Sequence, residues 1–288
     1  MLSYRHAFHA GNHADLFKHA VFVALLKHLL KKDKAFWCVD THAGAAQYSL
    51  MGDWAKKNAE FESGISRIWE KKLLPPLLAD YLEQVRAFNH TDELRYYPGS
   101  PQLAVQLMRK KDTLRLFELH STEIEVLEKH FRVDERKPDR LGPRVEVQAG
   151  DGFTGLQSVL PPPPRRGLVL IDPSYEDKHD YKHVVTALRE GVKRFATGTY
   201  MVWYPQVQRR DSVTLPDTLV NLQRTDWLHA SLTVKRPADD GLGLHGSGVF
   251  IVNPPFTLPA MLKEAMPWLV KVLGQDAGAE YKLEYRMA

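Results

Sequence analysis

A single cysteine in 288 residues excludes an intramolecular disulfide framework and the paired thiols of a zinc ribbon or a redox motif. Cys38 stands in the apolar run Ala35-Phe36-Trp37-Cys38-Val39, where a buried, reduced thiol is the expectation. No window approaches the roughly 18 consecutive apolar residues that a membrane span needs, so no membrane partner is expected. The stretch Met1 to Asp15 puts polar and imidazole side chains where an export signal needs an apolar core, and the expected location is the cytoplasm. There is no internal repeat and no long basic tail. Thirteen histidines are present, with His6, His9, His13 and His19 close together. Neither cysteine pairs nor a carboxylate–histidine zinc motif accompany them, so they are read as structural or substrate-facing and no metal is expected.

The remaining composition, 44% apolar and 26% charged, suits one soluble α/β domain or one such domain carrying an insert. A net charge of +4 is compatible with a polyanionic partner, and equally with a solvated basic surface. Clusters such as Arg109-Lys110-Lys111, Arg165-Arg166 and Arg209-Arg210 are short.

Apolar spacing at Leu16, Ala20, Val23, Leu26 and Leu30 predicts a helix over 15–31, capped by Asn12 or Asp15. A buried strand over 35–39 follows, ending at Asp40. Phe61, Ile65, Ile68 and Trp69 then line one helical face, and Leu77, Leu78, Tyr81, Leu82, Val85 and Phe88 another, with Pro75-Pro76 between them. This reads as a helical hairpin, residues 50–97, inserted into a domain formed by 1–49 and 98–288. Strands are predicted at 113–118, 144–148, 167–171 and 199–203, with helices at 121–131, 152–159 and 181–194. Such alternation argues for a mostly parallel sheet covered on both faces. Residues 227–235 and 248–253 predict an antiparallel hairpin closing one edge.

Ligands of open α/β sheets bind beyond the carboxyl ends of the strands, and four of those ends carry acids: Asp40, Glu118, Asp151 and Asp172. One acid there is usually a turn former or helix cap; four in succession suggest a site. In Ile171-Asp172-Pro173-Ser174-Tyr175, a carboxylate and a backbone carbonyl are placed to accept the two protons of an aminopurine nitrogen. That aims its delocalised lone pair at an electrophilic methyl group. Proline stiffens the turn, and the aromatic can stack on an extruded base. Asp172, the Pro173 carbonyl and Tyr175 take these three roles. Asn253-Pro254-Pro255-Phe256 is a rival, but it follows the second arm of the hairpin, away from the crevice.

On the cofactor side, Asp40-Thr41-His42-Ala43-Gly44 ends the first strand with a glycine that permits close backbone approach. Glu118 after the second strand suits two ribose hydroxyls. Setting the insert aside leaves about 30 residues between Asp40 and Glu118, against roughly 20 in dinucleotide folds. Asp151-Gly152-Phe153 after the third strand suits an adenine. The only G-x-G-x-x-G, Gly241 to Gly246, precedes a strand instead of following one, so it lacks the context of a nucleotide loop.

The segment at 172–175 resembles the Asp-Pro-Pro-Tyr signature of amino-methyltransferases that act on adenine, with Ser174 in place of the second proline. The chain as a whole resembles the bacterial 23S ribosomal RNA adenine-N6 methyltransferase family, the RlmJ group. The likeness runs through Leu2-Ser3-Tyr4-Arg5-His6, Phe8 to Asp15, Lys18-His19, Asp40 to Gly44 and Arg95 to Pro101. It continues through Glu118-Leu119-His120, Asp151-Gly152-Phe153 and Lys193 to Tyr200. The resemblance implies a Rossmann-like class I S-adenosylmethionine-dependent methyltransferase fold, α/β, with a small inserted helical subdomain. It implies S-adenosyl-L-methionine contacts from His19, His42, Ser100, Glu118, Asp151, Gly152 and Asp172, with Lys18 nearby; Asp40 joins them from its strand end. Asp172 would be the catalytic acceptor and Tyr4 would touch 23S ribosomal RNA. A monomer is expected, and no metal is needed because a sulfonium already makes its methyl electrophilic. The alternatives are adenine methylation in DNA and a non-catalytic nucleic-acid-binding protein involved in use of external DNA.

Overall fold

The structure, a computed structural model, describes residues 6–52, 57–132, 142–222 and 225–287. Helix α1 (His13–Leu30) starts where Asn12 Oδ1 accepts from the amides of Ala14 and Asp15, so Asn12, not Asp15, is the cap. Its residues are buried almost all round, the mark of a helix enclosed by other elements and not lying on a surface. Strand β1 (Trp37–Asp40) follows. Strands β2 (Gln47–Ser49) and β3 (Tyr96–Pro98) then pair antiparallel, bringing the two ends of the 50–97 segment side by side.

Within that segment the first predicted helix is not continuous. A 3₁₀ turn (Glu60–Ser63) and a one-turn helix α2 (Ser66–Trp69) flank Gly64. A Cβ on Gly64 would lie 2.1 Å from the Gly11 carbonyl oxygen. Close approach to the N-terminal loop therefore dictates the break, overriding the apolar spacing. Helix α3 (Pro76–Asn89) is present as predicted, with Pro at its first turn. Its residues Leu78, Tyr81 and Val85 share one apolar core with Leu16 and Leu25 of α1.

The remainder alternates: α4 (Ser100–Leu107), β4 (Thr113–Glu118), α5 (Ser121–Phe131), β5 (Arg144–Ala149), α6 (Gly152–Val159), β6 (Gly167–Ile171), α7 (Asp180–Arg194) and β7 (Thr199–Gln206). Next come α8 (Arg210–Leu222), β8 (Trp227–Thr233), β9 (Gly246–Val252), α9 (Leu258–Leu273) and β10 (Glu280–Arg286). The sheet order is β10-β8-β9-β7-β6-β1-β4-β5. Strands β1, β4, β5, β6 and β7 are parallel; β9, β8 and β10 continue antiparallel. The expected hairpin is there, with β9 seated against β7 and the C-terminal strand added outside β8.

Period-two alternation feeds two cores. Cys38, Leu168 and Leu170 face one, under α1, α4 and α9; Val39, Val169 and Ile171 face the other, under α6, α7 and α8. Burial on both sides explains why the central strands read as unbroken apolar runs. From β1 the chain builds outward through β4 and β5, then returns to the opposite side for β6 and β7. That reversal opens a crevice beyond the carboxyl ends of β1 and β6.

Candidate active site

A cavity of about 640 Å³ occupies the crevice. Of the residues singled out in the sequence, Lys18, His19, His42 and Ser100 line it, as do Glu118, Asp151, Gly152, Asp172 and Pro173. Tyr4 lies outside the described residues.

Three loops are locked together at its floor. Glu118 accepts the Gly44 amide at Oε2 and the His120 amide at Oε1, both at 2.7 Å, which ties the loop after β1 to the end of β4. Gly44 has φ +62°, a conformation that costs a side-chain-bearing residue steric strain. Asp151 caps α6, accepting from the Phe153 amide at 2.9 Å and from the Thr154 hydroxyl. At Gly152 the loop after β5 meets the loop after β1 so closely that a Cβ would lie 1.9 Å from the Thr41 carbonyl oxygen. Phe153 packs against His42, ring centroids 4.7 Å apart, and burial lowers the His42 pKa to about 4, leaving a neutral ring.

Asp172 meets a group 154 positions away in sequence. Lys18 Nζ, projecting from α1, donates to Asp172 Oδ2 at 2.6 Å and lies 2.9 Å from Asp15 Oδ1. Asp15 also accepts the Gly11 amide and pairs with His6, each at 2.9 Å. Burial raises the Asp172 pKa, and Lys18 only partly offsets it. Burial works against the charge on Lys18, yet Asp15 and Asp172 outweigh it and hold its pKa above the usual lysine value. Of its three donors, Lys18 commits two to these carboxylates. His19 is buried and its Nδ1 lies 2.8 Å from the Tyr97 hydroxyl; burial, reinforced by Lys18, keeps its ring neutral.

Two expectations are corrected. Asp40 does not reach the cavity: it is 1% exposed and stands behind the wall. There it accepts from Ser100 Oγ at 2.6 Å and from the His42 amide at 3.1 Å. Ending a strand flush with the buried sheet puts its carboxylate under the loop instead of in the crevice, so it acts on the site by holding Ser100 and His42. Tyr175 is likewise turned away. Its φ of +56° folds the ring back into the core against Tyr181 at 4.6 Å, and its hydroxyl donates to the Trp203 carbonyl at 2.6 Å. The aromatic presented beside Asp172 is Trp203, on β7. Lys18 Nζ is 5.4 Å from its ring centroid.

Burial of Asp40, with Asp172 adding to it, raises its pKa to about 7 from 3.8. The unfolded chain gives up this proton first, so the stability that the retained proton confers is full below about pH 4. It is lost as pH rises through about 7. Asp40→Asn is expected to remove that slope; the measurement is melting temperature against pH for both proteins. Parallel curves between pH 4 and 7 would reject the assignment.

His6 and His9, read as structural or substrate-facing, line the cavity; sequence reading gave no part in it to Trp203, to Asn12, or to Gly243 and Leu244 from the β8–β9 connection. The last follows from strand direction. Because β9 runs antiparallel to β7, Gly246 lies opposite Gln206 and Val252 opposite Tyr200. The hairpin turn therefore arrives at the crevice, while Asn253 leaves at the other end, where Nδ2 donates to the Ala196 and Gly198 carbonyls. That rules the Asn253-Pro254-Pro255-Phe256 turn out of the site. A cue was available in the glycine-rich stretch 241–246, read only as a failed nucleotide motif.

Comparison with known proteins returns a consistent result. Residues 33–287 match a family model described as RsmJ, ribosomal RNA large subunit methyltransferase D, RlmJ. The chain is 44% identical over 269 residues to ribosomal RNA large subunit methyltransferase J of Escherichia coli strain K12, covering 93% of each. It is 41% identical over 286 residues to the protein of the same name from Haemophilus influenzae, covering 99% of each. A crystal structure of a Legionella pneumophila protein, 34% identical, superposes with a TM-score of 0.85 over 96% of this chain and 98% of that one.

Proposed function

Given that the chain belongs to the RlmJ family of ribosomal RNA large subunit methyltransferases, we propose that it methylates N6 of an adenine in 23S ribosomal RNA, with S-adenosylmethionine as donor. The observation that carries this reading is the shared cavity: the Asp172-Pro173-Ser174 turn faces the same space as Glu118, Asp151 and Gly152.

The residues present fit the cofactor. Each Glu118 oxygen takes one backbone amide and keeps a further lone pair, enough to receive the two ribose hydroxyls. Asp151 and Phe153 suit the adenine, and His42, Ser100 and the Lys18–Asp172 pair suit the remainder. Gly44 and Gly152 allow the close backbone approach that such a floor requires. When bound, the cofactor supplies a methyl group made electrophilic by its sulfonium.

The chain's own part is positioning and charge placement. Asp172 and the Pro173 carbonyl accept the two amine protons of the target base and so direct its lone pair. Asp172 accepts best when ionised, which its burial opposes and Lys18 favours. Activity is therefore expected to fall on the acid side with an inflection above the ordinary carboxylate range. Lys18→Met should move that limb to higher pH. A limb in the same place in the variant would show that Lys18 does not set the charge state of Asp172. Trp203 is the ring available to the incoming base. Among the described residues no helix is long and apolar enough to cross a membrane, and we assign the chain to the cytoplasm with its RNA.

The test is transfer of labelled methyl from S-adenosylmethionine to protein-free 23S RNA, duplex DNA and a substrate-free control in parallel. Label in N6-methyladenine of the RNA supports the proposal. Label confined to DNA would redirect it to DNA adenine, and none in either would leave a nucleic-acid-binding protein without this activity.

A further inference from the structure

Parallel pairing sets the beginnings of β4, β1 and β6 side by side, with Trp37 opposite both Thr113 and Gly167, at the end of the sheet remote from the crevice. Each of these strands is entered through a short basic run: Lys31-Lys32-Asp33-Lys34, Arg109-Lys110-Lys111 and Arg165-Arg166. Folding joins the three. Arg109 donates to the Lys32 and Lys34 carbonyls, both at 3.1 Å. Arg166 donates to the Lys34 carbonyl at 2.8 Å and to the Leu29 carbonyl. The outcome is eight cations against two acids, Asp33 and Asp112, a formal +6 that exceeds the +4 of the whole chain. The remainder of the molecule, crevice included, is formally negative.

Most of this charge takes no part in holding the fold. Arg109 pairs with the buried Asp112 and Lys111 with Asp33; together with Arg166 these two act as staples. Lys31, Lys32, Lys34, Lys110 and Arg165 are exposed, and among the described residues no carboxylate forms an ion pair with them. Arg165 is held at φ +53°, a backbone conformation uncommon outside glycine. Phe256 borders the same surface. Its ring is 78% exposed and meets His28 edge-on with centroids 6.5 Å apart. The His28 pKa is lowered by burial and then by Lys31, Arg166 and Lys32, which places these cations around it. The Pro254-Pro255 turn that carries Phe256 is the motif that the crevice leaves unused.

We propose that this end of the sheet is a second RNA-contact surface, which grips the phosphates of a strand flanking the target and stacks one unpaired base on Phe256. Cations tracking a backbone beside an exposed ring are the two elements by which proteins hold single strands without reading their sequence. The assignment rests on the reading of the crevice as taking an adenine of a long RNA. Helix α1 runs from the crevice at Lys18 to the patch at Lys31, about 20 Å at 1.5 Å per residue. A large RNA can therefore occupy both places at once, and a fragment of a few nucleotides only one. An anionic lipid surface is the less favoured polyanion, because one ring offers little apolar area to insert.

Filter retention of protein-free 23S RNA by the full chain, across a series of salt concentrations, tests this. Combining Lys32→Gln, Lys34→Gln and Lys110→Gln should weaken binding by about tenfold or more near 0.1 M salt and flatten the slope of log affinity against log salt by about 2. Phe256→Ala should weaken binding by about fivefold or more with the slope unchanged, since stacking releases no counterions. Lys71→Gln, Lys72→Gln and Lys271→Gln, combined as a control outside the patch, should cost about twofold at most. Melting temperature and affinity for S-adenosylmethionine should stay at wild-type values in every variant. Retention involves no methyl transfer, so a failed transfer assay and a failed patch give different results. Wild-type affinity and slope in the patch variant, or an equal loss in the control, would overturn the proposal. So would phosphatidylglycerol vesicles that bind wild type and not the patch variant while RNA affinity is the same in both.

Discussion

Asp172→Asn is expected to cut the rate of methyl transfer by a factor on the order of 10²–10³, the cost of losing one pre-aimed polar partner in a desolvated site. Affinity for S-adenosylmethionine should change by no more than a few-fold. Asparagine keeps the shape and leaves Oδ1 to accept from Lys18, whose Nζ lies 2.6 Å from Asp172 Oδ2. What it loses is negative charge and the second acceptor atom. Alanine is the cruder probe: it would leave the buried Lys18 ammonium with Asp15 alone, and a partly unpaired buried charge destabilises the fold in its own right. Single-turnover rates with labelled cofactor, beside equilibrium binding of the same cofactor, separate chemistry from binding. A wild-type single-turnover rate in the asparagine variant would remove Asp172 from the reaction.

Gly152→Ala is expected to lower stability by about 3 kcal/mol, at the upper end of the usual cost of overpacking, and to weaken cofactor binding further. Glycine at the first position of α6 is a poor choice by helix propensity, and alanine there would be favourable on an open surface. Here the added Cβ would sit 1.9 Å from the Thr41 carbonyl oxygen and 2.7 Å from its carbon, with backbone on both sides. The loop after β5 must then lift from the loop after β1, carrying Asp151 and Phe153 away from His42. Gly52→Ala is the control, since nothing stands nearer than 3.7 Å to a Cβ there and its effect should be small. Thermal melts and cofactor titration of both variants check this. A Gly152→Ala protein that melts and binds like wild type would show that the contact at Thr41 is relaxed in solution.

The central sheet was legible in the sequence because burial on both faces leaves unmistakable apolar runs, as in Gly167–Ile171, and because turns follow each run. Acids at the strand ends pointed to the crevice for the same reason. Where a side chain turns once the strand has ended was not legible. Asp40 and Tyr175 were placed in the site by position alone, yet one is held beneath the loop by Ser100 and the other is rotated into the core by a positive φ. The Lys18–Asp172 pair joins residues too distant for any local pattern to reveal. Two helices were hidden by internal prolines, Pro216 in α8 and Pro267 in α9, which normally argue against a helix interior. Strand β10 was hidden because alternation between tyrosine and charge carries no burial contrast. Gly64 shows the reverse case, in which apolar spacing promised more helix than a close tertiary approach permits.

The connection between β8 and β9 is anchored at both ends by a continuous ladder, Thr233 opposite Gly246, while its glycines at 241 and 243 have no atom within 4 Å of where a side chain would begin. A segment so placed is a replaceable collar around the crevice mouth. Gly243 and Leu244 reach the cavity from it, so the rim of the crevice can change in length or sequence while the strands beneath, and the Glu118, Asp151 and Asp172 floor, stay in place.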